Sequence, residues 1–120
     1  MTSIVHDAQF VFEGLAEPEE VAERLRDEFP QTLLSDCYQM SRRQIAVADN
    51  TVAIAIRLRE DLPAGTSAHA EAWSQQRADE ALGFLVEKLA TCPTWHDAHQ
   101  SGRVSGRLDA RPGGSAEYQP

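Results

Sequence analysis

Lysine occurs once in this chain of 120 residues, at Lys88, and cysteine only twice, at Cys37 and Cys92. Two cysteines are too few for a disulfide framework, so reduced thiols in a cytoplasmic protein are the expected state. No apolar run approaches the roughly 20 residues that span a bilayer, and no membrane association is expected. No basic stretch followed by a greasy one opens the chain, so no secretory leader is expected. A Gly-rich phosphate loop, a nucleophile elbow and paired histidines on one helix turn are all missing, which leaves no signature of nucleotide, acyl-transfer or metallopeptidase chemistry. There is no internal repeat. The formal net charge of −8 excludes general affinity for a nucleic-acid backbone, which needs surplus Lys and Arg. Ten of the eleven basic residues are arginines. Arginine suits forked contacts with anions, but genomic base composition gives the same bias with no function behind it.

What is present is organised around Gln44–Arg59, two alternating runs with Asp49-Asn50 between them. Asp and Asn tolerate the left-handed backbone of a tight turn, so the stretch reads as a β-hairpin. This register pairs Val47 with Val52 and Ile45 with Ile54 on one face, and Ala46 with Ala53 on the other, which ends in Arg57 and Arg59. Ile4–Glu13 also alternates, with Ile4, His6, Ala8, Phe10 and Phe12 on one side. After Gly14, Pro18 at a first helical position and Glu17, Glu19 and Glu20 near the positive end of the dipole predict a helix. Val21, Ala22, Leu25 and Phe29 recur along it at helical spacing, and Pro30 closes it.

Between Thr32 and Arg43 the pattern conflicts with itself. Asp36 falls among Leu34, Tyr38 and Met40, and Arg43 falls opposite Ile56, so a bulge or a late strand start is needed. A long helix is expected from about Ser67, capped by Thr66 or Ser67, to Thr91, with Ala78, Leu82, Leu85, Val86 and Leu89 as its stripe. Gly83 within it points to close packing or a kink. Gly102–Ala110 reads as a last strand. The expected fold is therefore α+β: a ferredoxin-like βαββαβ sandwich, an antiparallel sheet with two helices on one face. Residues 1–111 form one domain, and 112–120 are expected to be a flexible tail.

Candidate sites are few. Cys92, Asp97, His96 and His99 lie close together in what reads as a polar loop. Structural zinc needs four ligands, usually from two separated clusters, and no metal is expected. No cofactor is expected either. His6, on an apolar strand face, has a pKa suited to a general base, or it sits at the sheet's wet rim. Arg57, Arg103 and Arg107 stand beside small alanines on the open sheet face, as an anion-binding patch or as the rim of a subunit contact. On the long helix, Trp73 and Phe84 share one side nearly opposite the leucine stripe, with Arg77, Glu80 and Lys88 alongside. Two large aromatics facing outward suggest a protein contact.

The reading that follows is a small acidic non-enzymatic accessory or assembly protein, acting through protein–protein contacts and self-associating as a homo-oligomer. The alternative is a small dimeric enzyme of isomerase or cofactor-free oxygenase type. Its pocket would lie between sheet and helices, lined by His6, Asp36, Tyr38 and Trp73.

Overall fold

Four long strands and three helices follow one another as β1 (Ser3–Glu13), α1 (Pro18–Glu28), β2 (Tyr38–Ala48), β3 (Thr51–Asp61), α2 (Gln75–Leu89), α3 (Pro93–Ser101) and β4 (Arg103–Pro112). The computed structural model describes residues 3–29, 35, 37–63, 65–67, 71 and 74–113. Trp73, Asp36, the stretch 30–34 and the expected tail from 114 onward lie outside the described residues. The fold is α+β, with one antiparallel sheet in the order β2-β3-β1-β4.

The hairpin takes the register its alternation demands: Ala46 faces Ala53, Ile45 faces Ile54 and Val47 faces Val52. Asp49 supplies the left-handed residue of the turn, at φ 55°, a conformation Asp accepts more readily than most side chains. A bulge between Met40 and Arg42 resolves the conflict in β2 by slipping its phase one residue. Tyr38 and Met40 face inward below the bulge, and Arg43, Ile45 and Val47 face inward above it. Arg43 does not sit in the core as a stray charge. Its guanidinium donates to the carbonyls of Arg26 (3.1 Å) and Phe29 at the end of α1, where a cation complements the helix dipole. Arg26 answers by donating to the Ile45 carbonyl at 2.9 Å.

One sheet face carries the core. Phe10, Phe12, Val52, Ile54, Ile56 and Leu58 are each at most 2% exposed, and they form one cluster with Leu25, Leu85, Leu89 and Trp95 from the three helices. Trp95 meets Phe10 and Phe12 edge-on at 5.5 and 4.9 Å, the geometry aromatic quadrupoles favour.

Three expectations are corrected. The long helix does not start near Ser67: Ser74 is its N-cap, its hydroxyl accepting from the Arg77 amide at 3.3 Å, and Thr66 and Ser67 do not cap it. Ser after a break in the apolar pattern is the better cap. The Cys92–His99 stretch is no loop but α3, with Pro93 at its first turn. The Glu28 carboxylate of α1 caps α3 by accepting from the Thr94 amide at 2.8 Å and from its hydroxyl. Finally, β4 runs to Pro112, and Gly113 is buried and donates to the Ser3 carbonyl at 2.8 Å. The expected tail therefore cannot begin at 112.

Candidate functional site

The opposite sheet face is covered by no element among the described residues. Cross-strand register defines it: Arg42, Gln44, Ala46 and Ala48 on β2; Ala53, Ala55, Arg57, Arg59 and Asp61 on β3; Asp7, Gln9, Val11 and Glu13 on β1; Arg103, Ser105, Arg107, Asp109 and Arg111 on β4. Alternation makes this inevitable, because every residue flanking a core position points the other way. At the turn end the floor is alanine and valine. Towards the other end it becomes a lattice of arginines and carboxylates.

Asp7 stands at the centre of that lattice. It accepts from the Arg57 Nε at 2.7 Å and from the Arg111 guanidinium. Burial raises its carboxyl, but the two arginine bonds outweigh this and hold it below the usual carboxylate range. Arg42 lies opposite Arg57 in register and donates to Gln44 at 2.7 Å. Arg107 donates to the Gln9 side-chain Oε1 at 3.1 Å. Together Asp7, Arg42, Arg57, Arg107 and Asp109 line a shallow depression of about 220 Å³. The face carries six arginines against four carboxylates, a positive surface on a chain whose net charge is −8.

Of the three arginines expected to form an anion patch, Arg57 and Arg107 share this depression. Arg103 does not: it lies at the other end of β4, with Glu13 at 3.4 Å. Arg42 takes its place, and Arg111 joins the lattice through Asp7. Arg42 was legible by extending the hairpin register to Arg57, and Arg111 by extending the β4 alternation past Ala110. The neutralising role of Asp7 was not, because nothing in the sequence fixes how β1 pairs.

A second polar cluster is sealed between sheet and α2. His6 is 0% exposed and its Nε2 lies 2.9 Å from Glu60 Oε1. A carboxylate only accepts, so this nitrogen is the donor. Nδ1 has no partner among the described residues. The other Glu60 oxygen accepts from Arg77, whose Nε also reaches Glu71 at 3.2 Å. His6 is thus in the interior, not at a wet rim.

Tyr38 stands edge-on to His6 at 6.1 Å. Burial first, then the negative Glu60 and Glu80, push its hydroxyl up to about 12. Phe84 packs on Tyr38 at 4.8 Å, with the Lys88 ammonium 5.6 Å from the Phe84 ring.

The expected outward stripe of α2 is therefore its flank. The buried line runs through Ala81, Leu85 and Leu89, not through Leu82, and this turns Phe84 and Arg77 inward to half-buried positions. Glu80 and Lys88 remain exposed, Glu80 accepting from Gln76 at 3.1 Å. On α3, Cys92 is buried and its thiol is pushed up chiefly by that burial, while His96 and His99 are exposed. Trp95, absent from the sequence-based list of core candidates, is the residue that seats this helix.

No helix among the described residues is long and apolar enough to cross a membrane. No protein-family model, curated protein or solved structure matches this chain.

Proposed function

We propose that this chain is a ferredoxin-like βαββαβ sandwich with α3 added before the last strand, and that it acts as a non-enzymatic accessory or assembly protein through protein–protein contacts. Two interlocked crossovers support the fold: β1 and β2 run parallel with β3 between them, and β3 and β4 run parallel with β1 between them. The observation that carries the function is the open sheet face, whose apolar floor and positive lattice belong to an acidic chain. Its complement is an acidic surface on a partner protein, with the exposed Glu80 and Lys88 flank of α2 as a further contact. Self-association belongs to the same reading. A cytoplasmic setting fits the two free cysteines, Cys37 exposed and Cys92 buried.

The second reading is a small dimeric enzyme, and the His6–Glu60 pair is what favours it. Against it, Arg77 occupies the remaining Glu60 oxygen, so both oxygens of that carboxylate are already taken within the chain. Apolar side chains from the sheet and all three helices pack into one buried cluster, which supports the binder. The test is capture from host lysate by the native chain and by a variant carrying Ala46→Glu and Ala53→Glu, which face each other on the open face. A protein held by the native chain and lost by the folded variant is expected. Equal capture by both overturns the role of this face.

A further inference from the structure

Strands β2 and β4 form the two edges of the sheet. Each edge leaves a row of backbone N–H and C=O groups that no strand among the described residues pairs, and such a row is a template for another strand unless it is guarded. β2 is guarded. Its bulge breaks the row between Met40 and Arg42, and the adjacent Arg42 and Arg43 leave a cationic stretch with no acidic residue on the strand. β4 has no such break: its register with β1 runs without a shift from Arg103 to Pro112.

We infer that β4 pairs antiparallel with β4 of a second copy about a two-fold axis through Gly106, joining the two sheets into one. The inference rests on the self-association proposed above and names its surface. Antiparallel partners have side chains on the same face, so the two-fold axis must pass through a residue. The charge pattern rules out its neighbours Ser105 and Arg107; an axis at Leu108 also avoids like charges, by setting Arg107 opposite Asp109, but it sets that bulky side chain against its own copy where Gly106 offers bare backbone. An axis at Gly106 sets Arg103 opposite the second copy's Asp109 and Ser105 opposite its Arg107 on the open face. On the core face it sets Val104 opposite Leu108. Moving the axis to Ser105 sets Arg103 against Arg107; moving it to Arg107 sets that residue against itself and Arg103 against Arg111. Like charges directly opposite are destabilising.

The single chain leaves these groups ready. Asp109 is exposed and has no partner among the described residues. Arg103 has 86% of its side chain exposed, with only Glu13 at 3.4 Å. Val104 and Leu108 are half-buried apolar side chains at the sheet's edge, which the second copy would cover. At the axis, Gly106 cannot be enlarged, because an added Cβ would lie 2.8 Å from the Phe10 ring. Bare backbone there lets the two strands approach. Edge pairing leaves the open face free and makes it continuous across both copies, so one assembly would present two positive lattices to a partner.

Sedimentation equilibrium of the full chain tests this. A contact confined to one strand edge is small, so a dimer dissociating on the order of micromolar concentration is expected. Asp109→Arg and Arg103→Asp should each weaken the dimer at least about tenfold, since each sets like charges opposite at two symmetric positions. The double variant exchanges the charges and should restore the dimer to within about threefold. In a Cys37→Ser background, Ser105→Cys with Arg107→Cys should give a disulfide-linked dimer on oxidation. Within one strand residues two apart are too distant to bridge, and only the Gly106 axis sets these two opposite each other.

A native dimer indifferent to both charge variants overturns edge pairing and leaves self-association standing. A rescued charge swap without the cross-link overturns the Gly106 register. A monomer at every concentration overturns edge pairing and self-association together, while the lysate capture still decides the open face separately. Unfolding of each variant by circular dichroism confirms that the exposed substitutions left the fold intact.

Discussion

The two faces of the sheet are made from the same strands, residue by alternate residue, yet they are organised by opposite physics. On the helix-covered face, charge is admitted only where polar partners meet it: His6, Glu60, Arg77 and Glu71 form one chain at the end of the core, and Arg43 serves the carbonyls of α1. On the open face, arginines outnumber the carboxylates that pair with them, over a floor of alanines. Burial forces local neutrality because an unpaired charge away from water is expensive. Solvent removes that constraint. An excess of one sign can then persist, and a surface excess is what steers a partner of opposite sign.

The sharpest way to break the comparison is to cut the same kind of group from each face. Ile54 is 0% exposed, and Ile54→Ala should cost about 2–5 kcal/mol through lost burial and a residual cavity. Its neighbour Ala53 faces the other way, half-exposed, and Ala53→Ser should stay within about 0.5 kcal/mol. Urea denaturation of both variants checks this. A midpoint barely moved by Ile54→Ala would mean that the hairpin is peripheral and the covered face is not the core.

Next in size is the buried charge chain. Arg77→Met removes one partner of Glu60 and leaves that carboxylate with His6 alone. A loss of roughly 2–3 kcal/mol is expected, less than for a fully sealed pair because Arg77 keeps some solvent contact. Glu60→Gln together with Arg77→Met should recover part of that loss, since two neutral groups need no matching. If the double variant is no better than the single, the cluster is not held by charge matching.

Much of this contrast was legible in the alternation. The hairpin pairs, the inward face of β1 and the bulge in β2 all follow from period-2 patterning and from the conflict at Arg43. The open face was legible too, as the complement of the core. What escaped depended on contacts far apart in the chain. The placement of Asp7 between Arg57 and Arg111 required the registers of β1 with both β3 and β4. The His6–Glu60–Arg77 chain required α2 to lean over the end of the sheet. Trp95 was hidden because α3 is short and its apolar pattern sparse, so its polar histidines dominated the reading. Phe84 lies inward because the buried line of α2 runs through Ala81, Leu85 and Leu89, and a small residue such as Ala81 gives little apolar signal beside Leu82.

The outer side of α2 offers a smaller effect of the opposite sign. Gly83 is exposed, and a Cβ built there would meet nothing within 4 Å, so close packing does not explain it. Gly83→Ala should therefore stabilise the chain by about 0.5–1 kcal/mol through helix propensity alone. A loss of stability would show that something covers this side of the helix, and sedimentation of the same variant would say whether it is a second copy.

The smallest expected effect belongs to Asp7, and it separates the two faces by pH. The Arg57 and Arg111 bonds lower its folded-state pKa below the unfolded value. A depressed carboxylate adds stability that is fully present above the unfolded pKa and is lost as pH falls through the folded one. Asp7 is more than a third exposed in its side chain, and solvent screening keeps the contribution on the order of 0.5 kcal/mol. Asp7→Asn should thus be slightly less stable than the native chain at pH 7, with the gap closing below the usual carboxylate range. Added salt should narrow the gap at neutral pH as well, because exposed ion pairs are screened. The Ile54→Ala deficit should persist across the same pH and salt range, since no charge is involved. An Asp7→Asn deficit that survives in acid would mean that Asp7 acts by packing, and the open face would then be held together as the covered one is.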